Sequence, residues 1–251
     1  MNPFDLERCS PLRLATALFR AHYGLCATAV LLLTGLDTLV EAGVLRRAAG
    51  PGEMIVEIAA LVAAHRTLLT RNGFAGGGHG EDQPDFRIVW RILWRLLAVA
   101  IGIGLLALLV VMPVLPGGMP DAAKAVAAIA IGLLGYGAFL AFFGTFVPDL
   151  VLGGTGSFAA ALARGRQQAR RTFRALLVYS FGVTVLVQVA ANLPQFAGIP
   201  LSPYDAASRS VHWLGIIPAM LRSASIILAV LMTAAILSRA YAQAEVQARM
   251  S

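Results

Sequence analysis

Charge is scarce in this sequence. Of its 251 residues only 13% are Asp, Glu, Lys or Arg, while 58% are hydrophobic and the mean hydropathy is +0.76. A soluble domain carries about 25% charged residues, so the composition predicts a polytopic membrane protein. Lysine occurs once, at Lys124, and every other basic residue is arginine, which together with the heavy alanine use fits a GC-rich bacterial genome. The formal net charge of +7 does not point to nucleic acid, because no soluble basic domain exists to carry it and basic residues between spans follow from the positive-inside rule.

Cysteine is equally sparse. Cys9 and Cys26 stand 17 positions apart with no metal or redox spacing, and both read as reduced and structural. Catalytic signatures are missing too: His65-Arg66 lacks the second histidine of a zinc helix, and there is no Gly-x-Ser-x-Gly elbow or phosphate-cradling loop. The sequence therefore predicts no enzyme, no cofactor and no metal. Residues 73–85 are glycine-rich and hold His79, Glu81, Asp82 and Asp85, but they read as a flexible linker. The first 24 residues place acids and prolines ahead of any apolar core, so the first apolar helix is expected to be retained rather than cleaved as a signal peptide.

What the chain has in quantity is long apolar runs. A crossing of about 30 Å of hydrocarbon takes about 20 apolar residues, and six runs emerge, at about 23–45, 54–70, 96–115, 123–147, 173–193 and 213–238. The second is short and ends in charge, and Pro116 to Pro120 break the third. With the N-terminus inside, 15 arginines fall on one face, whereas Arg46, Arg47, Lys124 and Arg209 fall on the other and Arg222 lies within the sixth run. Both termini are accordingly expected on the cytoplasmic side of a bacterial inner membrane. The expected fold is all-α, one domain of six transmembrane helices with added amphipathic interfacial helices.

Three such interfacial helices are predicted. In residues 10–24, Leu12, Leu14, Leu18 and Phe19 oppose Arg13 and Arg20, with Ser10 as cap and Pro11 in the first turn. In residues 85–97, Arg87, Arg91 and Arg95 recur once per turn, and Trp90 and Trp94 suit an interfacial belt. Between the fourth and fifth runs, Ser157 begins a helix on which Phe158, Ala161 and Leu162 are expected to face lipid. Arg164, Arg166, Arg170, Arg171 and Arg174 are expected to face water, headgroups or a partner. That row either fixes topology or binds anionic phospholipid or another membrane subunit.

The same stretch carries a resemblance. Val147-Pro148-Asp149-Leu150 through Gly153-Gly154, Ser157 to Leu162, Gly165-Arg166 and Arg171-Thr172-Phe173-Arg174-Ala175-Leu176, with residues 63–74, resemble uncharacterised six-span bacterial inner-membrane proteins. Those proteins are related to the membrane domain of some glycerophosphoryl diester phosphodiesterases. Gly153-Gly154 and Phe173 depart from the pattern, which has an acid and a tryptophan there. The resemblance implies a fold, with a short strand-like exit after the fourth span, rather than an activity.

Charges within the runs are costly unless paired or functional. Asp37 and Glu41 share one face of the first run, Glu53 and Glu57 repeat that spacing in the second, and all four lie in the expected outer half. Structural pairing, above all Arg222 with Asp37 or Glu57, is the expected arrangement; a small transporter or channel using Asp37, Glu41, Glu57 and Arg222 is the alternative. Gly102, Gly104, Gly137 and Ala141 offer small faces for close helix packing. Pro194, Pro200, Pro203 and Pro218 predict an irregular outer connection anchored by Tyr204 and Trp213. The function expected from all this is binding without catalysis, as an accessory subunit of a membrane complex or as a lipid-organising protein.

Overall fold

A computed structural model of the chain describes residues 4–44, 50–74, 86–114, 121–196, 203–205 and 210–250. The loop acids at 79–85, Arg46, Arg47, Arg209, Pro200 and the break at 116–120 lie outside the described residues, and the side chains of Pro194 and Trp213 are not described. In chain order the elements are α1 (Pro11–Ala21), α2 (Tyr23–Glu41), α3 (Gly50–Arg71), α4 (Phe86–Val114), α5 (Asp121–Phe143) and α6 (Phe146–Val151). Then come α7 (Phe158–Ala175), a π-helical turn (Leu176–Gly182), α8 (Val183–Phe196), the antiparallel pair β1 (Tyr204–Asp205) and β2 (Ser210–Val211), and α9 (Trp213–Met250).

The chain is an all-α, multi-pass membrane protein. Among the described residues, five segments have both the length and the apolarity to cross a bilayer: Tyr23–Glu41, Phe86–Leu106, Val126–Phe143, Phe158–Leu193 and Leu214–Met250. The second apolar run becomes α3, whose 22 residues give the length but whose Glu53, Glu57, His65 and Arg66 remove the apolarity. It packs against α2, α4, α6 and α9, so neighbouring helices rather than lipid surround much of it.

The 38-residue α9 is the spine. At about 1.5 Å per residue it is far longer than about 30 Å of hydrocarbon, and one end of it projects into a cap made by α1, α6 and α7. Arg239 reaches out of α9 to donate hydrogen bonds to the carbonyls of Leu6 and Cys9. Asn72, just past α3, donates to the Phe4 carbonyl at 2.8 Å. Arg71 lies 4.3 Å over the Phe4 ring. The N-terminal segment and the far end of α9 thus share one end of the bundle. Cys9 and Cys26 are both buried and, among the described residues, neither is in a disulfide.

Several helix faces differ from the sequence expectation. Ser10 does cap α1, accepting from the Arg13 amide at 3.3 Å, but Leu14 and Leu18 are fully buried in the protein core instead of in lipid. Ala161 on α7 is likewise fully buried, and its carbonyl accepts from Thr145 Oγ1 at 3.3 Å. The exit after α5 is the short helix α6, not a strand, because the chain turns at Gly144-Thr145 and resumes helical geometry ahead of Pro148. The interfacial α7 does not end before the fifth span; it passes through the π-helical turn into α8 as one rod. Pro218 lies inside α9, near its start, where one missing backbone donor costs little. Gly102 and Gly104 meet nothing within 4 Å, whereas Gly137 takes the edges of Phe173 and Phe181.

The tightest crossing is α5 on α7. A Cβ on Gly165 would stand 2.0 Å from the Phe142 carbonyl oxygen, so only a hydrogen fits. Replacing Gly165 with Ala should lower the melting temperature of the detergent-solubilised protein, costing about 1–3 kcal/mol or more as overpacking. Gly102→Ala should leave it unchanged; thermal unfolding of the two variants side by side checks both.

Candidate functional site

Two regions gather the polar chemistry. The first is at the cap. Asp149 of α6 accepts from the Gly156 amide at 2.8 Å, and the Gly154 amide closes on its backbone carbonyl at 2.8 Å. Gly156 has φ +60, and a Cβ there would collide with Leu150 and the Arg95 guanidinium. Arg95 of α4 donates to the Gly156 carbonyl and stands 5.4 Å over the Phe158 ring. Arg164 of α7 then turns inward: its Nη1 is 3.5 Å from Asp149 and 3.3 Å from Glu245 of α9, and its guanidinium lies 4.9 Å over the Tyr241 ring.

Arg164 therefore leaves the row to which the sequence assigned it. It ties α6, α7 and α9 together within the protein, with a side chain only 16% exposed. Arg166, Arg170, Arg171 and Arg174 remain exposed on α7. Phe86, Trp90 and Trp94 form a continuous exposed aromatic stripe on α4, with Trp90 and Trp94 packed edge to face at 5.5 Å.

The second region lies between the spans. A cavity of about 400 Å³ is bounded by α3, α4, α5, α6, the π-helical turn, α8 and α9, within the roughly 300–1,000 Å³ range of ligand pockets. Its wall is mainly aliphatic, including Leu61, Leu140 and Val230. Leu133, Val185 and Val189, which also line it, are 37%, 49% and 54% exposed, so the opening lies sideways between α5 and α8, toward lipid. The π-helical turn places Ser180 and Phe181 on this wall. Such turns are rare and frequently mark functional positions.

The polar groups of the wall divide into two sets. Ser180 bonds Thr233 at 2.8 Å and the Ala229 carbonyl at 3.2 Å. Thr184 donates to the Ser180 carbonyl at 2.8 Å, and Gln188 reaches Ser225 at 3.5 Å. Ser180 and Gln188 thus join the π-helical turn and α8 to α9, while Thr184 bonds within its own rod. Glu57 and Tyr136, by contrast, make no hydrogen bond or ion pair with any described residue.

The four intramembrane charges singled out from sequence do not form one group. Arg222 pairs with Asp37 at 3.6 Å, Glu41 is exposed in the last turn of α2, and the cavity takes in Glu57 alone. His65 is fully buried and bonds Ser238 Oγ at 2.7 Å through Nδ1. No cluster of metal-ligating side chains occurs among the described residues. Sequence reasoning missed the cavity and the acids facing Arg164. Asp149 directly after a span and Glu245 two turns past Ser238 were the available signals, but neither pattern states a partner.

No family model, curated protein or solved structure matches this chain.

Two expectations follow at the cap. Arg164→Ala strands Asp149 and Glu245 in a water-poor site. It should destabilise by less than the roughly 3–5 kcal/mol of a fully buried pair, since these side chains keep 14–30% exposure, yet clearly more than Arg166→Ala in the same melting assay. His22, in the turn between α1 and α2, bonds Thr67 at 2.7 Å, and burial followed by the Arg71 guanidinium holds its pKa below the usual 6.5. The unfolded chain then takes up this proton first, so the His22 contribution is complete above pH 6.5 and is lost as pH falls. The melting temperature should drop less between pH 7.5 and pH 5 in His22→Gln than in the wild type.

Proposed function

We propose that this protein is a non-catalytic, multi-pass protein of a bacterial inner membrane that acts by binding lipid. The observation that carries this reading is the aliphatic cavity of about 400 Å³ with its sideways mouth at Leu133, Val185 and Val189. A cavity that opens into hydrocarbon fills with whatever that phase supplies, and acyl chains are the abundant component. Arg166, Arg170, Arg171 and Arg174 support the reading from the cap, because each arginine near an anionic leaflet contributes about 1 kcal/mol of attraction. The proposal includes the kinship with the membrane domain of glycerophosphoryl diester phosphodiesterases, which rests on residues 147–176 and 63–74. Service as an accessory subunit of a larger assembly belongs to the same proposal, with the exposed α4 aromatic stripe as the other surface on offer.

Gentle detergent extraction followed by native mass spectrometry tests it. The wild type should retain phospholipid, enriched in anionic species relative to the bulk membrane. Converting Arg166, Arg170, Arg171 and Arg174 together to Gln should remove that enrichment, and Val185→Trp should lower the total lipid retained. A lipid-free protein, or unchanged lipid in both variants, contradicts the reading.

A further inference from the structure

The polar groups lining the cavity indicate what sits at the head of its ligand. Ser180, Thr184 and Thr233 bond within the π-helical turn, α8 and α9, and Gln188 is tied to Ser225 through its amide nitrogen at 3.5 Å. Glu57 and the Tyr136 hydroxyl are the polar wall groups that no described residue answers, and both line the same cavity. Glu53, one turn earlier on α3, adds a second negative charge near Glu57. Among the described residues no Lys, Arg or His lines the cavity, and Arg222 of α9 is engaged by Asp37 at 3.6 Å.

An anionic head placed at Glu57 would meet a carboxylate with no counter-charge. A neutral hydroxyl would leave the acid's charge unanswered. An ammonium meets both demands: it donates to the Glu57 carboxylate and to the Tyr136 oxygen, and a charge-assisted bond of this kind is about twice as strong as a neutral one. The remaining wall, with Leu61, Leu133, Leu140 and Val230, suits an alkyl chain.

Resting on the lipid-binding reading, we propose that the cavity binds a long-chain amphiphile with a cationic ammonium head, held by Glu57 and Tyr136. The test uses the full chain in nanodiscs at pH 7.5, where a primary alkylamine is protonated. Saturable binding of radiolabelled dodecylamine, dodecanol and dodecanoate is measured above that of empty nanodiscs. Dodecylamine should bind at least about tenfold more tightly than dodecanol, with dodecanoate weakest. Glu57→Gln should bring the amine down to the alcohol while leaving the alcohol unchanged, and Tyr136→Phe should weaken the amine preference. Should Glu57→Gln fail to fold, the wild-type ranking still decides. Val185→Trp, at a half-exposed rim position, should weaken all three probes together. Equal binding of amine and alcohol, both lost in Val185→Trp, overturns the ammonium head and leaves the lipid cavity standing. Tighter dodecanoate also overturns the ammonium head. Absence of saturable binding, or binding indifferent to Val185→Trp, overturns both.

Discussion

The placement of Arg164 is the constraint on which the bundle depends. A guanidinium held at 16% exposure needs opposite charge, and two carboxylates from different elements supply it: Asp149 from α6 and Glu245 from α9. Its Nε and Nη2 have no hydrogen-bond partner among the described residues, so Nη1 and the face of Tyr241 carry the interaction. Because α7 continues through the π-helical turn into α8, fixing Arg164 against α9 also sets where the wall of the membrane cavity stands. One residue after it, Gly165 lets α5 close on the same rod. The cap and the cavity are therefore one mechanical unit, with an ion pair at one end and a polar stripe of Ser180, Thr184 and Gln188 along its length.

The sequence was most legible where a single physical quantity decides. Transfer from water to hydrocarbon is nearly additive along a helix, and five of the six apolar runs became helices long and apolar enough to cross. The pairing of Arg222 was legible too, because a cation far inside an apolar run has few acids within reach, and Asp37 holds it. Helix faces were not legible in the same way. Leu14, Leu18 and Ala161 show an apolar stripe whether it meets lipid or protein, and periodicity alone cannot tell these apart; tertiary packing on α9 and α5 decided it. The same ambiguity hid Arg164, which sits in a basic row by sequence but on the inward side of α7. The cavity was invisible for a further reason: its wall comes from helices far apart in the chain, and Glu57 reads like its neighbour Glu53 until Tyr136 of α5 stands across from it.

A division of labour follows from these contrasts. Polar side chains that bond one another, such as Thr34 with Ser223 at 3.0 Å or His65 with Ser238 at 2.7 Å, hold spans together where lipid offers no hydrophobic drive for helices to associate. Polar side chains left unanswered beside an aliphatic cavity have no such role, and a ligand gives them one. The exposed arginines of α7 and the tryptophans of α4 would place this unit at a fixed depth, with the mouth between α5 and α8 in the hydrocarbon.

The most direct test of the central claim is an experimental density map of the protein extracted in a patch of its own membrane. An elongated, non-protein density should enter between Leu133 and Val185, run past Leu140 and Val230, and end within hydrogen-bond distance of Glu57. A map in which α5 and α8 close on each other and those side chains touch directly, leaving no volume for a chain, would contradict it.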